Sequence, residues 1–142
     1  DLQIGGGKNY ERREEERKEK LQGIAAWTNL SLERLEELYQ RYGTRVEEMA
    51  IFIADSSNKA LDSLPSYCQG EIVFLAQKEK IVHLDDLVLR RTHIAKLGLL
   101  TASLLVELAD ILAEALGWSD EQRDAEMLRT SQLMASKHGV TL

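Results

Sequence analysis

The sequence predicts an all-α fold, a compact bundle of five to seven helices in one domain. Apolar residues recur at helical spacing through most of the chain, aromatic residues make up only 6% of it, and it contains a single proline, Pro65. A β-sandwich or barrel would need more β-branched runs and more turn signals. The length of 142 residues suits one domain with its own hydrophobic core.

The N-terminal segment predicts a linker followed by a charged helix. Gly5-Gly6-Gly7 mark residues 1–9 as a linker or turn. Acidic and basic side chains alternate in residues 10–20, several of them in i,i+4 pairs that stabilise a helix. Because these charges nearly cancel, we interpret the segment as the solvated face of a helix rather than a basic tail.

Two amphipathic helices follow. Ser31 is a suitable N-cap for the first of them, and Gly43 can end it in the left-handed conformation. Thr44 and Glu47 form a capping-box pattern for the second, which the run Ser56-Ser57-Asn58 ends. Their predicted inward faces are Leu32, Leu35, Leu38, Tyr39 and Tyr42 in the first helix, and Val46, Met49, Ala50 and Ile53 in the second.

The middle of the chain predicts two shorter helices. Leu64-Pro65 opens the next element, and a helix follows over residues 69–80. Asp85 or Asp86 can cap the other helix. The residues at helical spacing are Ile72, Val73, Leu75 and Ala76 in the first, while the second carries Leu87, Leu89, Arg90 and Arg91.

The longest apolar stretch, residues 97–116, predicts a central core helix. A membrane span of about 20 residues would not carry three acids on one stripe. Gly117 ends the helix. We expect Leu104, Leu105, Leu108 and Leu112 in the core, and a narrow wet edge formed by Ser103, Glu107, Asp110 and Glu114.

The last helix begins with a second capping-box pattern. Ser119 can cap it, with Gln122 at the third helical position. The helix should fray near Gly139. The residues expected to face inward are Leu128, Ser131, Met134 and Ala135.

Composition excludes several classes of function. The net charge of −6, with no basic stripe, argues against a nucleic-acid surface. The first residues lack the shape of a signal peptide. The single cysteine, Cys68, cannot form an internal disulfide and fits a reducing compartment. We therefore expect a cytoplasmic protein.

No motif predicts a catalytic, cofactor-binding or metal-binding residue. Asn9 follows Gly5-Gly6-Gly7-Lys8, and no buried strand precedes this run, so it is not a phosphate-binding loop. The histidines are His83, His93 and His138, and none has metal-ligand spacing to another histidine or to Cys68. A metal site would arise only if folding brought distant ligands together.

One dense charged constellation interrupts the apolar middle of the chain. Asp86 and Arg90 lie four residues apart and meet if both belong to one helix. We favour an ion-pair network or a contact surface for another domain over an anion site, and we expect at least one of the two arginines to be buried and paired. The constellation comprises Glu71, Glu79, Asp85, Asp86, Arg90 and Arg91.

The order of these charges resembles a known family, the C-terminal domain of FAD-dependent glycerol-3-phosphate dehydrogenase and α-glycerophosphate oxidase. In that pattern an acid, a second acid eight positions later and an acidic helix start precede a closing Arg-Arg-Thr. Further segments are similar. The matching residues are Gly70-Glu71-Ile72, Glu79, Asp85-Asp86 and Leu89-Arg90-Arg91-Thr92, with Ile4-Gly5-Gly6-Gly7, Tyr42-Gly43-Thr44 and Leu116-Gly117-Trp118-Ser119 beside them.

The resemblance implies a parent enzyme that oxidises sn-glycerol 3-phosphate to dihydroxyacetone phosphate in glycerol metabolism. FAD takes the hydride, and electrons pass to quinone or oxygen. The flavin domain precedes this one, and its Gly-x-Gly-x-x-Gly motif is absent here, so no catalytic residue of the family maps onto this chain. The resemblance implies a non-catalytic helical C-terminal domain over residues 10–142, without a cofactor of its own, whose partner is the N-terminal flavin domain of the same chain.

The resemblance leaves several properties open: the electron acceptor, a homodimer, and association of the parent with the inner face of the membrane. The isolated domain is not expected to be active. The alternative is a free-standing helical interaction or regulatory module. The chain begins with Asp1 rather than a starting methionine, and its first residues resemble a linker, so we favour the fragment of a flavoprotein oxidoreductase.

Overall fold

A computed structural model describes residues 7–142 of the chain, with side chains from Arg12 onward. The predicted linker over residues 1–9 therefore lies largely outside the described residues, and the first helix already begins at Gly7. The described residues form helices, turns and one isolated bridge between Ala60 and Cys68. The predicted all-α fold class is confirmed.

Seven α-helical segments lie within residues 7–142, of which the fifth has only three residues. A 3₁₀ turn, Gly43–Arg45, follows the second helix, and a π-helical turn, Leu87–Arg91, follows the fifth. No helix in the described part of the chain has both the length and the hydropathy to cross a membrane. The helices are α1 (Gly7–Thr28), α2 (Leu32–Tyr42), α3 (Val46–Asp55), α4 (Gln69–Lys78), α5 (Leu84–Asp86), α6 (Ala102–Leu116) and α7 (Asp120–His138).

The chain divides into two compact units. That residues 10–142 form the C-terminal domain of a longer protein stays a prediction. The boundary falls between Asp55 and Ser56, at the predicted break Ser56-Ser57-Asn58. The first unit holds α1, α2 and α3, and the second holds α4 to α7. The charged constellation of the sequence lies entirely in the second unit.

In the first unit the two amphipathic helices form largely as predicted. The Ser31 hydroxyl accepts a hydrogen bond from the N–H of Arg34 at 3.0 Å, so the predicted N-cap is confirmed. Gly43 ends α2, but at φ +59° and ψ −129° it does not adopt the predicted left-handed conformation. The chain then continues through the 3₁₀ turn rather than the predicted capping box. All four predicted inward residues of α3 are fully buried, whereas Leu32 of α2 is 42% exposed.

The second unit is built around α6, which packs on α4 and α7. Its four predicted core leucines are buried, and its wet edge is exposed or half-buried. The helix begins at Ala102, later than predicted, because Thr101 caps it: the Thr101 hydroxyl accepts the N–H of Leu104 at 3.1 Å. Gly117, at φ +74°, adopts the left-handed conformation and ends α6 as predicted.

The last helix begins where predicted, but its buried face differs from the predicted one. Ser119 and Gln122 form both bonds of the capping box, at 3.1 and 2.8 Å. The prediction that Leu128 faces inward is wrong, since this side chain is 60% exposed. The buried residues of α7 are Thr130 and Met134, four positions apart, and Leu128 lies about 200° from Thr130 around the helix.

Candidate functional site

The charged constellation lies where α4 ends and where the π-helical turn follows α5. Glu79 directly follows α4, and its N–H donates to the carbonyl of Leu75 at 3.1 Å. Asp86 ends α5, and the two arginines end the π-helical turn. The turn packs against α4, so the acids of one element come near the arginines of the other.

Each arginine of the constellation is close to one acid. An Nη1 atom of Arg90 lies 3.9 Å from Asp86 Oδ1, and Nη1 of Arg91 lies 4.0 Å from Glu79 Oε1. Charge-assisted hydrogen bonds are shorter, about 2.7–2.9 Å. Both pairs are therefore loose ion pairs that leave the guanidinium donors available to another acceptor.

The expectation of a buried arginine is wrong. The side chain of Arg90 is 79% exposed and that of Arg91 is 49% exposed. Both arginines lie at the C-terminal end of the π-helical turn, on its exposed side. Leu87 and Val88 point into the core instead.

Two acids of the constellation are buried, Glu71 and Asp85. Glu71 lies in the first turn of α4 and is fully buried. Arg90 pairs with Asp86 and Arg91 with Glu79. Asp85, also in the constellation, accepts from Nε of Arg129 on α7 at 3.1 Å. The structure thus joins Glu79, Asp85 and Asp86 to arginines.

The chain after the π-helical turn folds back onto it. The Ala95 N–H donates to the carbonyl of Val88 at 3.2 Å, and the Leu99 N–H to the carbonyl of Ile94 at 2.9 Å. The hydroxyl of Thr92 donates to the carbonyl of Leu87 at 2.9 Å. These bonds fix residues 87–99, which we call the arginine segment.

The arginine segment is basic, in contrast to the net negative charge of the chain. No aspartate or glutamate occurs between residues 87 and 106. Lys96 is exposed, and two leucines of the segment are exposed as well, Leu97 at 65% and Leu99 at 36%. Exposed cations beside exposed leucines are typical of a surface that binds an acidic or partly apolar partner.

A cavity of about 540 Å³ lies between α4 and α6, and its lining is acidic, whereas the arginine segment is basic. Asp110 on its wall bonds Nη1 of Arg123 at 2.7 Å. Hydrogen bonds to Asp124 and Asp110 raise the pKa of Arg123 above its ordinary value. A phosphorylated substrate would be repelled here, because four carboxylates line the cavity, those of Asp62, Glu107, Asp110 and Glu114.

Two carboxylates that the sequence did not single out as site residues hold distant backbone groups. Glu107 of α6 accepts the N–H groups of Asp62 and Ser63 at 2.7 and 2.9 Å, across 45 and 44 residues of sequence. Glu126 of α7 accepts the N–H of Leu84, the first residue of α5, at 2.8 Å. No local sequence signal identifies either pairing, since both depend on how the helices pack.

The described residues differ in secondary structure from a dinucleotide-binding unit. Dinucleotide sites place the pyrophosphate at the start of a helix, after a buried strand and a glycine-rich turn. Residues 7–142 contain no strand that could precede such a turn. Beside the cavity, Arg123 is already paired with Asp110 and Asp124.

The chain matches the sequence model of the family described as the C-terminal domain of alpha-glycerophosphate oxidase, over residues 1–123. It belongs to this family. The resemblance drawn from the order of the charged residues is thereby confirmed. The match covers the first unit, most of the second and the whole of the charged constellation.

A curated relative points to the same group of enzymes. The glycerol-3-phosphate dehydrogenase of Mycobacterium leprae (strain TN) is 27% identical over 110 residues, which cover 73% of this chain. The matched region is only 18% of that relative's length, so most of the relative has no counterpart here. No solved structure matches the chain.

Proposed function

We propose that this C-terminal domain belongs to an FAD-dependent glycerol-3-phosphate dehydrogenase and takes no direct part in its chemistry. The parent would oxidise sn-glycerol 3-phosphate to dihydroxyacetone phosphate. When bound, FAD supplies the acceptor for the hydride. The family match over residues 1–123 carries the proposal.

The division of labour within the parent follows from what this chain contains. The relative from Mycobacterium leprae is more than five times longer than the matched region, which leaves room for a separate flavin domain. The cavity of this chain is lined by carboxylates, which disfavours a phosphate monoester. The substrate and flavin sites would therefore lie in the N-terminal part of the parent.

The arginine segment is the surface proposed to contact the flavin domain. Arg90 and Arg91 keep donors available because their acids lie 3.9 and 4.0 Å away. A guanidinium can bind a carboxylate of a partner with two parallel hydrogen bonds. The exposed Leu97 and Leu99 add apolar area that a partner domain would cover.

The test measures turnover of the full-length parent. Arg90→Glu and Arg91→Glu should lower the rate at which sn-glycerol 3-phosphate reduces an artificial electron acceptor, because each replaces an interdomain cation by an acid. Lys137→Glu, on the exposed end of α7, is the matched control with the same change of charge and should leave turnover unchanged. Equal activity of all three variants and the wild type would contradict the proposed interface.

Stability measurements on the isolated chain distinguish a role of the two arginines in interdomain contact from a role in the stability of this domain. Both arginines are exposed, so reversing either charge should change the stability of the 142-residue chain by less than about 1 kcal/mol. Unfolding in urea measures this. A variant that loses turnover in the parent yet unfolds normally in the isolated chain supports the interdomain reading. We propose a cytoplasmic location for the parent, which cell fractionation would check.

A further inference from the structure

We propose that His83, Asp85 and Glu126 form a binding site for one divalent transition-metal ion of the kind represented by Zn²⁺. One ligand atom from each residue, a ring nitrogen and two carboxylate oxygens, lies within 4.8 Å of the other two. His83 precedes α5, Asp85 lies within it, and Glu126 belongs to α7. The fold therefore brings Glu126 to His83 and Asp85, which lie more than 40 residues earlier in sequence.

Backbone and side-chain donors hold the two carboxylates in place. Glu126 Oε1 accepts the N–H of Leu84 at 2.8 Å, while Oε2 lies 2.8 Å from Nδ1 of His83. Asp85 Oδ1 accepts from Nε of Arg129 at 3.1 Å. Metal-binding carboxylates are commonly oriented in this way, with one oxygen bound to an outer N–H and the other free for the metal.

The cluster is largely buried but open to solvent on one side, which suits a site for a bound ion. The side chains of Asp85 and Glu126 are 11% and 15% exposed, whereas that of His83 is 40% exposed. The carboxylates are thus largely removed from water, and the imidazole stands on the open side. An ion can enter from the solvent and keep water in its remaining coordination positions.

The charges of the cluster favour a divalent cation. Asp85 pairs with one arginine, Arg129, so the two nearly buried carboxylates carry more negative charge than this arginine neutralises. On binding, the proton of the His83 ring moves to Nε2, so that Nδ1 becomes a ligand and its hydrogen bond to Glu126 is replaced by the metal. One imidazole with two carboxylates suits Zn²⁺ better than Mg²⁺, which prefers oxygen ligands alone.

The functional consequence is a link between α5 and α7. These two elements already pack together through Glu126, and a metal ion would add coordination bonds from both. α5 leads directly into the π-helical turn and the arginine segment. Metal binding would therefore stabilise the base of that segment, independently of whether the segment contacts a flavin domain.

The test is a titration of the chelator-treated chain, without a polyhistidine tag, with ZnCl₂ in a calorimeter. We expect saturable binding of one Zn²⁺ per chain, much weaker binding of Mg²⁺, and a higher melting temperature with Zn²⁺. Cys68 is buried and should not compete. No saturable binding, or equal binding of Mg²⁺, would overturn the proposal.

Variants then locate the ion. His83→Ala removes a proposed ligand and should weaken Zn²⁺ binding by at least about 10- to 100-fold. Loss of a residue that only orients a ligand typically has an effect of that size. His93→Ala removes an exposed histidine outside the cluster and is the matched control. Should His83→Ala fail to fold, Glu126→Gln decides, because its amide oxygen still accepts the N–H of Leu84. Unchanged affinity in the cluster variant, or an equal loss in His93→Ala, places the ion elsewhere and refutes the site.

Discussion

Glu107 offers the sharpest test of how the second unit is held together. Its carboxylate on α6 accepts the N–H groups of Asp62 and Ser63 at 2.7 and 2.9 Å. It thereby fixes the loop between α3 and α4 against the central helix. The sequence places Glu107 on the wet edge of α6, where its replacement should cost little stability. In the structure it forms a long-range brace, because it binds backbone groups that are distant in sequence.

The magnitude follows from the two bonds. A hydrogen bond to a charged group contributes about 1.5–3 kcal/mol to stability. Asp62 is exposed, so water can solvate its N–H once the carboxylate is gone. We therefore expect Glu107→Ala to cost about 2 kcal/mol in total, less than the roughly 3 kcal/mol that two such bonds would sum to at the least. Glu107→Gln keeps one acceptor oxygen and should cost about 1 kcal/mol.

Unfolding of the chain in urea, followed by circular dichroism, measures these costs. The matched control is Glu114→Ala, an exposed acid on the same edge of α6, which should change stability by less than about 0.5 kcal/mol. If Glu107→Ala and Glu114→Ala lowered stability equally little, the bonds of Glu107 would not stabilise the fold. The prediction from sequence, that Glu107 is only a residue of the wet edge, would then be the better one.

Two further comparisons of stability use the same assay. Leu108→Ala removes a fully buried side chain and should cost about 2–5 kcal/mol, whereas Leu128→Ala, at a site 60% exposed, should cost less than about 0.5 kcal/mol. Gly117→Ala should cost about 1–2 kcal/mol, because φ is +74° there although no atom lies within 4 Å of the added carbon. Gly23→Ala, within α1 and equally free of steric conflict, should instead stabilise the chain by up to about 1 kcal/mol. Equal effects within either pair would show that burial or backbone conformation has been misassigned.

Local signals in the sequence predicted much of the fold. Ser31 and the Ser119–Gln122 box form the hydrogen bonds expected of them, because capping depends on residues within three positions of each other. The core face of α6 was predicted correctly because its apolar period is long and regular. Thr44 failed as a cap because α2 continues into a 3₁₀ turn, a choice between two local structures of similar energy.

The parts that sequence could not predict depend on tertiary contacts. The π-helical turn at Leu87–Arg91 exposes both arginines, and nothing in their spacing distinguishes it from an α-turn. Glu126 approaches His83 only once α7 packs beside α5. The arginines were singled out by the family pattern, whereas the carboxylate brace and the His83 cluster have no pattern that marks them before folding.

The central claim is that this chain is the non-catalytic C-terminal part of a flavin-dependent glycerol-3-phosphate dehydrogenase. The most direct measurement is the visible absorption spectrum of two purified proteins, the 142-residue chain and the full-length parent, before and after anaerobic addition of sn-glycerol 3-phosphate. We expect a flavin band in the spectrum of the parent, and we expect the substrate to bleach this band. The chain alone should be colourless and should show no saturable signal on titration with FAD. A yellow chain, or a parent whose flavin band does not respond to the substrate, would contradict it.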